Sequence, residues 1–106
     1  MKEKVAITGG AGFVGSNLGY MLHKNGYEVL LLDDLSYGHL DNLKINGESF
    51  GTFLNIDIRS RDLKNHLSDV DYVFHLAGIS TLPVCQSDPV NSIDVNVNGT
   101  ANVLES

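Results

Sequence analysis

The sequence predicts an α/β fold built on a parallel sheet, and three observations carry that prediction. Short apolar, strand-like runs alternate with helix-like segments along the whole chain. The run Glu28–Asp33 (EVLLLD) is apolar and flanked by a glycine and two acids, as expected of a strand buried on both faces. A glycine-rich turn, ITGGAGFVGSNL at residues 7–18, lies between the first strand-like run and the first helix. Alternation of this kind implies parallel strands joined by right-handed crossovers.

The elements follow in order. Lys4–Thr8 (KVAIT) is a short strand. Phe13 to Asn25 reads as a helix with Val14, Leu18, Met21 and Leu22 on one face, and Gly26 stops it. Glu28–Asp33 is the second strand. Residues 34–48 are polar and irregular, with a short helical turn near Asp41–Lys44 and a turn signal at Asn46-Gly47. Thr52–Ile56 is the third strand. Ser60 is placed to cap a helix that carries Leu63 and Leu67 at i, i+4 spacing. Asp71–Leu76 (DYVFHL) is the fourth strand. Asp88-Pro89 opens the last helix, with an acid at the cap and proline at the first helical position. Val90, Ile93, Val97 and Leu104 fall on one stripe of that helix, which still runs at Ser106.

The 106 residues form one domain with 42% apolar content, no linker and no internal repeat. The net charge of −6 repels phosphate backbones, so nucleic acid is an unexpected partner. An anionic ligand has to be held by local backbone dipoles instead. Cys85 is the single cysteine, which excludes an internal disulfide and fits a reduced, cytoplasmic setting. No three-part signal peptide is present, and no apolar run is long enough to span a membrane. The four histidines show no metal-ligand spacing.

Glycines 9, 10, 12 and 15 satisfy two overlapping spacings, G-x-G-x-x-G and T-G-x-x-G-x-x-G, after a strand and at the opening of a helix. One glycine permits a turn that a Cβ forbids, another lets backbone approach a pyrophosphate, and the last lets helix and strand pack closely. The helix start then offers free N–H groups and its dipole to the phosphates. A mononucleotide P-loop is excluded, because Gly15 is followed by Ser16-Asn17 rather than Lys-Ser/Thr. Asp33 ends the second strand eighteen positions after Gly15, where an acid accepts hydrogen bonds from an adenosine ribose. A 2′-phosphate about 4 Å from that carboxylate would cost roughly 4 kcal/mol at an effective dielectric near 20. No arginine lies in residues 10–40 to offset it, so NAD is favoured over NADP.

Five stretches together resemble the extended short-chain dehydrogenase/reductase superfamily, and within it the NAD-dependent nucleotide-sugar epimerases and dehydratases. They are TGGAGFVGSNL (8–18), LLDDLSYG (31–38), NIDIRSRDL (55–63), DYVFHLAG (71–78) and DPVNSIDVNVNGTANVLE (88–105). The resemblance implies a Rossmann-like doubly wound sheet, truncated after about four strands in the order 3-2-1-4 and forming only the N-terminal part of such an enzyme. It implies that Gly9, Gly12, Phe13 and Val14 line the pyrophosphate and that Asp33 holds the ribose, with Asp34 and Ser36 nearby. Asp57 and Ile58 would flank the adenine, and Leu76, Ala77 and Gly78 the nicotinamide half. His75 is expected to be buried and hydrogen-bonded rather than an acid or base. Asn96 is expected to tie backbone segments together, and Cys85 to be a small loop residue.

Catalysis in the resembled family rests on a Tyr-x-x-x-Lys pair with a serine or threonine, the tyrosine removing a sugar hydroxyl proton as hydride passes to NAD. Those residues are expected beyond the fourth helix, outside this chain. Tyr20 to Lys24 spells the same pattern, but on the first helix, behind the cradle and far from the nicotinamide end. The expectation is therefore a dinucleotide-binding piece without its catalytic pair and without a nucleotide-sugar site. A non-catalytic dinucleotide sensor or interaction module is the alternative, and loss of cofactor binding is a third possibility. Without a fifth strand, residues 71–76 would form an apolar sheet edge that invites self-association.

Overall fold

A computed structural model describes residues 2–45, 47–78 and 87–106. The predicted position of Asn46, and Cys85 with its loop, lie outside the described residues. Strand β1 (Lys4–Thr8) leads into α1 (Phe13–Lys24) and β2 (Glu28–Asp33). A 3-10 turn (Leu40–Leu43) and a small hairpin of β3 (Lys44–Ile45) and β4 (Glu48–Ser49) follow. Then come β5 (Thr52–Asn55), α2 (Leu63–Leu67), β6 (Tyr72–His75), α3 (Pro89–Ile93), a π-helical turn (Asp94–Gly99) and α4 (Thr100–Glu105). The main sheet has four strands in the order β5-β2-β1-β6, all parallel. This is the predicted 3-2-1-4 order of a Rossmann-like sheet.

The period-two alternation of a strand divides β1 and β2 between two apolar layers. Val5, Ile7, Val29 and Leu31 face one layer with Phe50, against Leu18, Tyr20 and Leu22. Ala6, Leu30 and Leu32 face the other, with Ile58, Leu63, Leu67 and Val103. Five of the six residues of β2 are buried, as its uninterrupted apolar run predicts.

Four expectations need correction. Helix α1 buries Gly15, Ser16 and Gly19, while Val14 and Met21 point outward and Leu18 and Leu22 are half-buried. The reason is close approach: a Cβ at Gly19 would lie 2.8 Å from Leu31 Cδ2. Small residues set the contact line, and the larger side chains flank it. The helix after β5 starts at Leu63 with Asp62 at its cap, not Ser60. Ser60 Oγ instead accepts from the Asp62 amide at 3.2 Å, spending the hydroxyl on a turn. Leu63 and Leu67 are buried as predicted.

The last helix starts as expected, with the Asp88 carboxylate accepting from the Asn91 amide at 3.2 Å and Pro89 next. Its apolar stripe does not face the sheet, however: Val90, Ile93, Val97 and Leu104 are all exposed. Ser92, Gly99 and Val103 make the contact instead. The residues between β2 and β5 were predicted to be irregular but contain the β3–β4 hairpin, with Gly47 at φ +76° between its strands.

Candidate functional site

The carboxyl ends of β1, β2, β5 and β6 open onto one cleft of about 400 Å³. β1 ends at Thr8, and the chain turns at Gly9 with φ of +70°. A Cβ on Gly9 would sit 3.0 Å from the Ala77 nitrogen, so the turn is pressed against the segment after β6. A Cβ on Gly15 would collide with the Gly9 carbonyl oxygen. Helix α1 therefore begins flush against the turn. Gly12 caps it without a side chain, and its first turn carries no acid. No side-chain cap serves the amides of that turn, and the helix dipole favours an anion there.

Asp33 stands at the end of β2, just buried. Its Oδ2 accepts from the Ala11 amide at 2.9 Å and its Oδ1 from the Leu35 amide at 2.8 Å. Each oxygen keeps a lone pair for a further donor. Leu35 adopts φ of +66°, a left-handed conformation unusual for leucine, in the turn that carries Asp34 and Ser36 into the cleft. A Cβ on Gly38 would meet Asp33 Oδ2 at 2.6 Å, so the returning loop closes over the carboxylate.

Asp57 is held by Arg59. The Arg59 fork reaches it with Nε at 3.0 Å from Oδ1 and Nη2 at 2.6 Å from Oδ2. The Arg59 amide adds a bond to Oδ1 at 2.8 Å. Arg59 Nη1 extends to Asp94 Oδ2 at 2.7 Å and Asn91 Oδ1 at 3.2 Å. Hydrogen bonds from Arg59 hold the Asp57 carboxyl below the ordinary carboxylate range. Asn98 and then Arg59 do the same for Asp94, and the two carboxylates push the guanidinium upward.

His75 lies at the end of β6 in a closed chain of bonds. Thr100 Oγ1 donates to the Asn96 carbonyl at 2.6 Å, so it accepts from His75 Nε2–H at 2.9 Å. His75 Nδ1 then accepts from the Thr8 hydroxyl at 2.6 Å, while Thr8 Oγ1 accepts from the Leu76 and Ala77 amides at 3.0 and 3.1 Å. The chain needs neutral imidazole, and burial pushes the His75 pKa down. The expected hydrogen-bonded, structural role is what these bonds describe, although His75 is half-buried rather than buried, and Asn96 joins through its carbonyl. A histidine with a depressed native pKa binds fewer protons folded than unfolded. Stability is thus complete above the ordinary histidine value of about 6.5 and falls as pH drops through it. Urea midpoints at about pH 7.5 and about pH 5.5 are expected to differ more for the native chain than for His75→Gln.

All twelve residues expected around a dinucleotide line this cleft: Gly9, Gly12, Phe13, Val14, Asp33, Asp34, Ser36, Asp57, Ile58, Leu76, Ala77 and Gly78. The sequence reading missed Tyr37, Gly38, Arg59, Asn91 and Val95, which line it too. An Asp-x-Arg spacing at 57–59 was the one available signal for Arg59. No arginine lies in residues 10–40, yet the fold brings one to the cleft from beyond that stretch. Arg59 does reach the cleft, but two carboxylates already pair with it. Tyr20 and Lys24 do not line it. Tyr20 packs edge-on against Phe50, and Lys24 pairs with Glu48 at 3.0 Å. Among the described residues, no helix is long and apolar enough to cross a membrane, and no group of three or more His, Cys, Asp or Glu is placed to hold a metal.

A parallel sheet in this order, with a glycine turn and a cleft at its carboxyl edge, defines a Rossmann-fold α/β domain. The chain belongs to the NAD dependent epimerase/dehydratase family, whose model matches residues 5–106. A Methanocaldococcus jannaschii protein with the provisional name UDP-glucose 4-epimerase is 40% identical over 103 residues, covering 95% of this chain and 32% of its own. An epimerase of Methanothermobacter thermautotrophicus, solved as a structure, is 37% identical with a TM-score of 0.89, over 98% of this chain and 31% of its own. The Thermus thermophilus UDP-glucose 4-epimerase, solved in complex with NAD, is 33% identical with a TM-score of 0.83, over 96% of this chain and 32% of its own. The chain thus spans about a third of the length of the relatives it matches.

Proposed function

We propose that this chain is the NAD-holding portion of a nucleotide-sugar epimerase or dehydratase. The observation that carries the reading is the convergence of the glycine turn, Asp33 and Asp57 on one cleft, with the helix amides at one end. The cradle fits a diphosphate because the positions a Cβ would fill are glycines. The carboxylate at Asp33 fits a ribose hydroxyl and opposes a 2′-phosphate. NAD would supply the redox chemistry. The chain's own residues bind and orient it, since the only basic side chain among the described residues of the cleft is the paired Arg59. Such an enzyme would also need an acid–base pair and a nucleotide-sugar site, and this chain spans about a third of the length of its relatives; the cytoplasm is the setting that a lone cysteine fits.

Calorimetry tests this directly. NAD and NADH are expected to bind the chain, and NADPH at least about tenfold more weakly. No binding of NAD, or NADPH tighter than NADH, overturns the reading. Mixed with NAD and a UDP-sugar, the chain alone is expected to show no epimerisation by sugar analysis; turnover would refute the absence of a catalytic pair. A second reading is a dinucleotide-sensing module that acts by contact through an exposed sheet edge. Strand β6 pairs only with β1 among the described residues, and Tyr72, Val73 and Phe74 are exposed. Such an edge favours self-association. Light scattering over a concentration series is expected to show dimers, and a monomer throughout would count against it.

A further inference from the structure

Crossing the sheet from β1 through β2 to β5, the cleft presents helix amides, then Asp33, then Asp57. A dinucleotide with its diphosphate on the amides and its ribose at Asp33 carries its base onward to the end of β5. We propose that Arg59 is a positioning residue: it fixes Asp57 as an acceptor aimed at that base, and the pair selects an exocyclic amine over a carbonyl. This inference rests on the NAD-holding reading above.

Arg59 brings three N–H groups to the carboxylate. Its amide and Nε serve Oδ1, and Nη2 serves Oδ2, with the Nε–H shared to Oδ2 at 3.2 Å; three hydrogens on about four lone pairs leave the carboxylate room to accept one further donor. The Asp57 side chain remains about one third exposed, on the cleft wall. Arg59 is itself tethered on its far side by Asp94 and Asn91, so the fork cannot swing with the carboxylate. The loop between them is also fixed. Asn102 Nδ2 donates to the carbonyls of Ile58 and Ser60 at 2.7 and 2.8 Å, and a Cβ on Gly99 would press on Ile58 Cδ1 at 2.5 Å. An ionised carboxylate only accepts. An amine on the base therefore finds a partner, whereas a carbonyl at the same place meets oxygen with oxygen.

The test compares NAD with nicotinamide hypoxanthine dinucleotide, which has a carbonyl in place of the amine. Calorimetry on the 106-residue chain is expected to give about tenfold tighter binding of NAD. In Arg59→Gln and Arg59→Lys the ratio is expected to fall below about threefold, with the loss on the NAD side. Arg59→Lys keeps a positive charge between the two carboxylates, so it folds while lacking the fork. A purely structural role would weaken both dinucleotides alike and leave the ratio unchanged. Retention of the native ratio in Arg59→Lys overturns the inference, as does a native chain that binds NAD without preference. A native chain that binds neither dinucleotide removes the NAD-holding reading itself.

Discussion

Gly15→Ala is expected to destabilise the domain by about 3 kcal/mol, at the upper end of overpacking costs, and to abolish dinucleotide binding. The added methyl would collide with the Gly9 carbonyl oxygen and crowd the Gly9 carbonyl carbon at 3.0 Å. Both atoms are backbone, and Gly9 is itself held against Ala77 and Leu76. No rotamer change can relieve the clash. Either α1 lifts from β1, exposing part of the layer built on Ile7 and Leu31, or the turn opens and its amides lose their aim. A urea titration should show a lower midpoint with an unchanged slope. Gly12→Ala is the control. Its Cβ would meet only the Gly9 oxygen at 3.3 Å, so its stability is expected to stay within about 1 kcal/mol of native while binding falls. Equal stability of Gly15→Ala and the native chain would show that the helix start is not packed as described.

Thr8→Val is expected to cost about 2–3 kcal/mol although it preserves shape. The Thr8 hydroxyl is fully buried and serves three partners at once: the Leu76 amide, the Ala77 amide and His75 Nδ1. Leu76 keeps its second bond, to the Thr8 carbonyl at 3.1 Å, but Ala77 and His75 would be left without the partner. The segment after β6 then keeps the Leu76 backbone bond to β1 but loses the hydroxyl bonds, which loosens the wall of the cleft formed by Leu76 and Ala77. Thr8→Ser retains the hydroxyl and removes one methyl, for an expected cost of about 1 kcal/mol. If valine proves no worse than serine in chemical unfolding, the hydroxyl network contributes nothing measurable.

Much of this architecture was legible in the residues because its causes are local. The apolar run at 28–33 can only be satisfied between two layers, and Asp88-Pro89 marks a helix start by chemistry that acts over a few residues. The glycine turn was equally readable, since a φ of +70° at Gly9 and the collision at Gly15 are demands that few other residues could meet. The twelve cleft residues were named from the resemblance of five stretches to the epimerase and dehydratase family, and they line one cleft.

What escaped was set by contacts between distant segments. Apolar periodicity put Val14 and Met21 of α1, and Val90, Ile93, Val97 and Leu104 of the last helix, on inner faces, yet all six are exposed. Small residues made most of the real contact lines, Gly15, Ser16 and Gly19 in α1 and Ser92 and Gly99 beside Val103 in the last helix, and a periodicity count gives glycine and serine no weight. The left-handed Leu35 has no local signal either, because the turn around Asp33 imposes it.

From its own residues, then, the chain determined a parallel α/β sheet, a tight glycine turn between the first strand and the first helix, and an acid at the end of the second strand. Only the tertiary structure decided that Arg59 would reach Asp94, and that Thr8, His75 and Thr100 would form one line of hydrogen bonds. Turns and strands answer to forces within a few residues. A pairing across 35 positions, or a bond across 67, exists only after the sheet has brought the strand ends together.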